Sequence, residues 1–246
     1  MPRPDERDPA PICALCRSRL RVPSWPRCGR CHAPVGRAVE GTTGTGVEGC
    51  HECRSWPAAL SSARSAYAMA GPGAKLVHAL KYEGWHELAG FMSDRIAEVA
   101  RRHPVVSRAS NRVEVGERHL AALRVTPVPT TLSRERTRGY NQAALLARGV
   151  ATALGAPLVP MLTRTEGRRS QIELESGLRQ ANVRNVFAAS EGISSARAHH
   201  VLLVDDVLTT GATAAEAASI LVEHGARSVH LLTFARALPK AVSALS

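Results

Sequence analysis

The sequence predicts an α/β fold with a parallel central sheet, preceded by a small Cys-rich N-terminal unit. Three observations carry this. From about residue 120 to 237, strand-like apolar runs alternate with helix-period stretches, the pattern of a parallel sheet covered on both faces. Val201-Leu202-Leu203-Val204 is apolar without interruption, as in a central strand buried on both sides. All six cysteines fall before residue 54, in a stretch with little hydrophobic periodicity.

The elements follow in order. Residues 12–56 are too few to bury much of a core, so a metal must hold them; within them Gly36–Gly49 reads as a flexible Gly/Thr-rich loop. Ala63–Ala70 reads as a strand. Leu76, Val77 and Leu80, then Leu88, Phe91, Met92, Ile96 and Val99, recur at helical spacing. Gly84 splits them into helices Ala74–Tyr82 and His86–Arg102, and His103-Pro104 ends the second. Residues 104–118 lack periodicity and read as a surface loop. Leu120–Val128 is expected as a strand and Asn141–Leu154 as a helix stopped by Gly155 and Pro157. Strands are expected at Leu158–Leu162, Val183–Ala189, His200–Asp205 and Ser228–Ala235, with a helix at Thr213–His224 stopped by Gly225. The chain thus divides into residues 1–58 and 59–240.

The hydrophobic fraction of 44% suits a globular protein. No apolar run approaches the roughly 20 residues a membrane span needs. Met1–Pro11 has no apolar segment of the signal-peptide kind, so the expected compartment is the cytoplasm. The formal charge of +11 fits a polyanionic partner, nucleic acid or a phosphorylated substrate. It fits a compositional origin equally, because the charge is nearly all Arg and is spread along the chain; Lys occurs only at Lys75, Lys81 and Lys240.

The apolar run ends in Asp205-Asp206, Val207-Leu208 and Thr209-Thr210-Gly211-Ala212-Thr213, then a helix. Ligands of open α/β sheets bind beyond the carboxyl ends of the strands. A small-residue turn entering a helix offers N–H groups and the positive end of the dipole to an anion. The Thr hydroxyls add donors, and Gly211 allows close backbone approach. Two carboxylates beside a phosphate site would repel it unless they bound something else, which ribose hydroxyls and Mg²⁺ fit. VLLVDDVLTTGAT, residues 201–213, resembles the phosphoribosyl-pyrophosphate (PRPP) signature of type I phosphoribosyltransferases. The resemblance implies a type I phosphoribosyltransferase-like fold, with Asp205 and Asp206 on the ribose hydroxyls and Thr209–Thr213 around the 5′-phosphate.

Cys13-x-x-Cys16, Cys28-x-x-Cys31 and Cys50-x-x-Cys53 are three metal-type knuckles. Two such pairs make a tetrahedral Zn²⁺ site, and spacing alone does not choose which two; the third pair is left unused or joins His32 or His51 in a second site. Knuckles ahead of a PRPP loop resemble the ComF family, competence-associated proteins with zinc ribbons. So do Val77–Gly84 (VHALKYEG), Pro127-Val128-Pro129 and Arg138-Gly139-Tyr140-Asn141-Gln142, and then Arg168, Gln171, Leu174, Arg179 and Asn182 ahead of Phe187. Double-ribbon members carry four Cys pairs where this chain has three. Cys28, Cys31, Cys50 and Cys53 look like the last two pairs, which favours them as the intact site over Cys13 and Cys16.

Further anion ligands are expected from several places. Pro127–Arg138 follows a strand end, where type I transferases have their pyrophosphate loop, and Arg134, Arg136 and Arg138 suit it. Arg164–Arg179, with Arg168 and Gln171, reads as a loop able to close over substrate, and Lys81 is a further candidate. The resemblance implies Mg²⁺-dependent phosphoribosyl transfer to an unidentified acceptor, or a non-catalytic PRPP- or nucleotide-binding module handling single-stranded DNA in natural transformation, alongside protein partners of the competence machinery.

Overall fold

A strand apolar at every position has no face to offer water, and Val201–Val204 lies inside the sheet. In the computed structural model, which describes residues 12–24, 26–35, 50–111, 122–165 and 186–238, the run belongs to β5 (His200–Leu208). Beside it lie β6 (Ser228–Arg236) and β2 (Leu123–Pro127), and β1 (Leu60–Ala68) flanks β6. The order is β1-β6-β5-β2, with every neighbouring pair parallel. Parallel neighbours need crossovers. Between β1 and β2 these are α2 (Pro72–Tyr82), α3 (Leu88–Arg101) and α4 (Pro104–Asn111). After β2 come α5 (Leu132–Arg138) and α6 (Gln142–Leu154), and α7 (Ala212–Glu223) joins β5 to β6. A short α1 (Ala14–Ser18), an antiparallel ribbon of β3 (Leu162–Arg164) with β4 (Phe187–Ala189), and a 3-10 helix at Glu191–Ala196 complete the described elements.

Side chains alternate across a strand, so β5 and β6 feed two cores. Leu202, Val204, Leu232 and Phe234 pack with Met92 and Ile96 of α3 and with Leu146 and Val150 of α6. Val201, Leu203, Val229 and Leu231 pack with Ala217 and Leu221 of α7 and with Cys28, Cys31, Cys53 and Trp56. The Cys-rich segment therefore shares the second face with α7. It also lies along the outer edge of β1, where Ala63 N–H donates to the Arg30 carbonyl at 2.9 Å and Ala68 N–H to that of Arg21 at 2.7 Å.

At the amino end of the sheet a buried hydrogen-bond chain runs in one direction. Val105 N–H donates to His103 Nδ1 at 3.3 Å, so His103 Nε2–H donates to Ser62 Oγ at 2.9 Å. Ser62 donates to His230 Nδ1 at 2.8 Å, and His230 Nε2–H to Ser228 Oγ at 2.7 Å. Ser228 donates to His200 Nδ1 at 2.6 Å. The three links accepted at Nδ1, of His103, His230 and His200, require neutral imidazoles. Burial holds His103 down to about 4 and His230 to about 3, and neighbouring positive charge, including Arg64, adds to both shifts.

Several expectations shift. Residues 104–111, expected within a surface loop, form α4 with Val106 buried. Pro104 ends α3 and also opens the next helix, because a proline fits the first turn, where its missing N–H costs nothing; two valines are too few to show a period. Residues 112–118 lie outside the described residues. β5 continues through Leu208 because β6 still pairs with it, Asp205 opposite Thr233 and Leu208 opposite Arg236. In the expected strand at Leu158–Leu162, Leu158 makes a single parallel bridge to Val125, and strand pairing resumes at Leu162; Pro157 and Pro160 can donate no ladder hydrogen bonds. β4 is described from Phe187, and residues 183–185 of the expected strand lie outside the described residues, as does the Gly36–Gly49 loop. No described helix is long and apolar enough to cross a membrane.

Candidate functional site

The site lies where β5 outruns β2. Their pairing ends at Pro127 opposite Val204, and Val128 N–H closes it on the Val204 carbonyl at 2.9 Å. The next two residues are Asp205 and Asp206, which alternation sends to opposite faces. Asp206, 2% exposed, is on the α2 side, where its Oδ1 pairs with Lys81 Nζ at 3.0 Å. Its Oδ2 is buried without a hydrogen-bond partner. Asp205 Oδ1 accepts from Asp206 N–H at 2.8 Å. Burial first, and then the adjacent Asp206 charge, push the Asp205 carboxyl up to about 8. A partly protonated carboxyl beside an unsatisfied carboxylate oxygen is a pair that hydroxyl donors or a cation would complete.

Past Val207 and Leu208 the chain turns. Thr209, Thr210, Ala212 and Thr213 are exposed while Gly211 is buried, with φ of +82°. Thr210 Oγ1 accepts from Ala212 N–H at 3.4 Å. Gly211 at the N-cap of α7 has no side chain to offer, so beyond the Ala212 N–H that Thr210 holds, the first-turn N–H groups are available to an anion. The left-handed φ explains the glycine, and so does a contact absent from the sequence reading: a Cβ there would lie 2.6 Å from the Trp56 ring.

A cavity of about 420 Å³ is lined by Lys81, the partner of Asp206, with Tyr82, Ser133, Arg134, Arg138 and Tyr140 among others. Thr131 caps α5 by accepting from Arg134 N–H at 3.2 Å, and Gly139 ends it at φ of +80°. Residues four apart share a helix face, so Arg134 and Arg138 both reach the cavity and Arg136 does not line it. Arg138 is braced by Gln142 Oε1 at 3.0 Å and lies over the Tyr82 ring at 5.1 Å. Tyr140 donates its hydroxyl to the Leu80 carbonyl, tying α2 to the chain ahead of α6. Arg164 on β3 lies within electrostatic reach of Asp205 and Arg134; it marked only the edge of a loop in the sequence, and nothing local distinguishes it. Arg168 and Gln171 lie outside the described residues. A larger cavity of about 570 Å³ at the β1 edge contains Arg27, Arg64, Arg95 and Arg102. These cations have partners at the cavity itself: Arg64 the Gly29 and Arg30 carbonyls, Arg95 and Arg102 the Glu98 carboxylate, and Arg27 the His32 ring.

Cys28, Cys31, Cys50 and Cys53 bring their sulfurs within 4.8 Å of one another. Three of the separations are 3.5, 3.8 and 4.0 Å. Sulfurs placed tetrahedrally at about 2.3 Å from a zinc ion lie roughly 3.8 Å apart, so the group could hold such an ion. A hydrogen bond from Cys31 drives the Cys28 thiol down to about 3. The same bond raises Cys31, and burial pushes Cys53 up to about 12. Four thiolates together therefore require a cation. Arg64, held at this cluster, supplies further positive charge facing Cys28 and Cys31. Cys13 and Cys16 stand apart on α1, where Cys13 Sγ accepts from Cys16 N–H at 3.4 Å.

Comparison with known proteins adds the following. A family profile described as Phosphoribosyl transferase domain matches residues 141–242. "DNA utilization protein YhgH" of Salmonella typhimurium is 28% identical over 234 residues, covering 92% of this chain and 97% of that protein. "Competence protein ComFC" of Bacillus subtilis is 26% identical over 242 residues, covering 95% and 86% respectively. A solved structure described as the allosteric regulatory enzyme of purine biosynthesis shares 26% identity over 52% of this chain and 24% of its own, with a TM-score of 0.32.

Proposed function

This chain belongs to the ComF family, and on that premise we propose that it binds Mg²⁺–PRPP at the carboxyl end of β5 and transfers the phosphoribosyl group to a nitrogen nucleophile. The observation that carries the reading is the junction of β5 and α7. A buried carboxylate, Asp206, has one oxygen unpartnered, and an exposed hydroxyl-lined turn a few residues on enters a helix whose N-cap, Gly211, carries no side chain. Asp205 and Asp206 accept from the ribose hydroxyls, and Thr209, Thr210 and Thr213 with the α7 N–H groups hold the 5′-phosphate. Lys81, Arg134 and Arg138 face the leaving pyrophosphate and offset its growing charge as the bond to C1′ breaks. Mg²⁺, carried in with the substrate, neutralises part of the pyrophosphate charge. Cys28, Cys31, Cys50 and Cys53 would hold a structural Zn²⁺, in a Cys-rich unit of residues 1–58 ahead of a PRPP-binding unit of residues 59–240. The compartment is the cytoplasm.

A thermal-shift titration of PRPP with and without Mg²⁺, followed by a pyrophosphate-release assay across bases and amines, tests this reading. Stabilisation by PRPP is expected, and no shift at saturating PRPP overturns it. A second reading, a non-catalytic module that binds single-stranded DNA, draws on the net charge of +11 and on relatives named for DNA utilisation and competence. PRPP binding with no release of pyrophosphate in the presence of any acceptor favours it.

A further inference from the structure

Trp56 lies far from the phosphate loop in sequence, yet it forms the floor under it. Its indole N–H donates to the Thr210 carbonyl at 2.9 Å. Its ring fills the space a side chain at Gly211 would need, leaving only 2.6 Å to a Cβ there. The same residue closes the Cys cluster. Trp56 N–H donates to the Cys53 carbonyl at 3.1 Å. The Arg30 guanidinium, on the turn between Cys28 and Cys31, reaches the carbonyls of Cys53 at 3.1 Å, Trp56 at 3.3 Å, Pro57 at 2.7 Å and Leu60 at 2.9 Å. It also lies over the indole, 5.8 Å from the ring centroid. Buried Arg236, at the end of β6, donates to the Cys31 carbonyl at 2.7 Å. The four sulfurs and the phosphate loop are thus joined through a few consecutive residues.

We propose that Trp56 is a positioning residue that makes the geometry of the phosphate loop depend on metal occupancy of the Cys28/Cys31/Cys50/Cys53 cluster. This rests on the reading of that loop as the 5′-phosphate site. A bound ion is the bond between the Cys28–Cys31 knuckle and the Cys50–Cys53 knuckle. Without it the main chain at Cys53–Trp56 keeps the Arg30 hydrogen bonds but loses the link through the sulfurs that fixes one knuckle against the other. The Thr210 carbonyl then loses its donor, and the turn no longer holds its N–H groups in a fixed direction.

The test uses the full chain and reads amide hydrogen exchange over residues 208–213, metal-loaded and after chelation, with PRPP binding measured by calorimetry. Chelation should speed exchange in that peptide by about tenfold, the scale of one lost hydrogen bond, and leave residues 202–204 unchanged. Trp56→Phe keeps a ring but not the N–H. It should show the faster loop exchange with metal content at the wild-type level, bind PRPP about tenfold more weakly, and gain nothing further on chelation. Wild-type loop exchange in metal-loaded Trp56→Phe overturns the proposal, and so does an equal effect of chelation in both proteins. Chelation that speeds exchange equally over residues 202–204 overturns the proposal too, because the metal then supports the whole fold and not the loop in particular. If the metal-loaded wild type binds no PRPP, the proposed function falls, while the exchange measurements still decide the coupling.

Discussion

Acidification should weaken this protein through its histidine chain, and His103→Gln should remove part of that sensitivity. His103 is 5% exposed and His230 is 6% exposed, with native values of about 4 and about 3 against roughly 6.5 in an unfolded chain. A value depressed in the native state contributes stability that is present above the unfolded value and lost as pH falls toward the native one. Between about pH 8 and about pH 5, each such histidine removes roughly 2 kcal/mol, because the unfolded chain takes up protons that the native one refuses. In His103→Gln the amide nitrogen can still donate to Ser62, while Val105 N–H loses its acceptor. The variant should therefore be less stable than the wild type by about 1 kcal/mol near pH 8. Near pH 5 it should be more stable by about 1 kcal/mol, having shed one histidine's penalty. Urea unfolding followed by tryptophan fluorescence at the two pH values measures both gaps. Loss of metal in acid is common to both proteins and cancels in the comparison. A gap that stays constant between the two pH values would refute the assignment of His103 as a neutral link in this chain.

Asp206→Ala should abolish thermal stabilisation by PRPP, worth about 2.7 kcal/mol at a ligand concentration one hundred times Kd, while leaving the protein folded; equal shifts in variant and wild type count against the acid pair. Arg138→Ala should weaken PRPP by about tenfold, the scale of one charge-assisted contact, and an unchanged affinity removes that guanidinium from the pyrophosphate site. Metal analysis should find about one zinc per chain, lost in Cys28→Ser and retained in Cys13→Ser; equal loss from both variants overturns the tetrad. Binding to a fluorescent single-stranded oligonucleotide should weaken steeply with salt, with a log–log slope of about −0.7 per phosphate contacted, and absence of binding at low salt leaves the charge compositional.

Much of the fold was readable because the signals are local. Val201–Val204 is apolar at every position, and the turn Thr209–Thr213 follows at once, so strand, loop and helix start are contiguous in the chain. The helix Gln142–Leu154 carries its own stops, with Asn141 accepting at the start and Gly155 at the end. α4 was missed for the converse reason: eight residues with one buried valine leave no period to detect.

The sequence by itself determined the apolar runs, the acid pair, the hydroxyl-rich turn and the three Cys knuckles, since each is a property of neighbouring residues. Only the tertiary structure decided which of them meet. Spacing left the pairing of the knuckles open, and packing against the sheet brought Cys28, Cys31, Cys50 and Cys53 together while Cys13 and Cys16 stayed on α1. Lys81 read as a further anion-ligand candidate. The return of α2 over the end of β5 places it 3.0 Å from Asp206, so in this protein it first answers a buried carboxylate. Trp56 carried no local signal of a role at the loop, because its partner, Thr210, lies 154 residues away. Such contacts are set by how two layers of structure stack, and no periodicity within either segment encodes them.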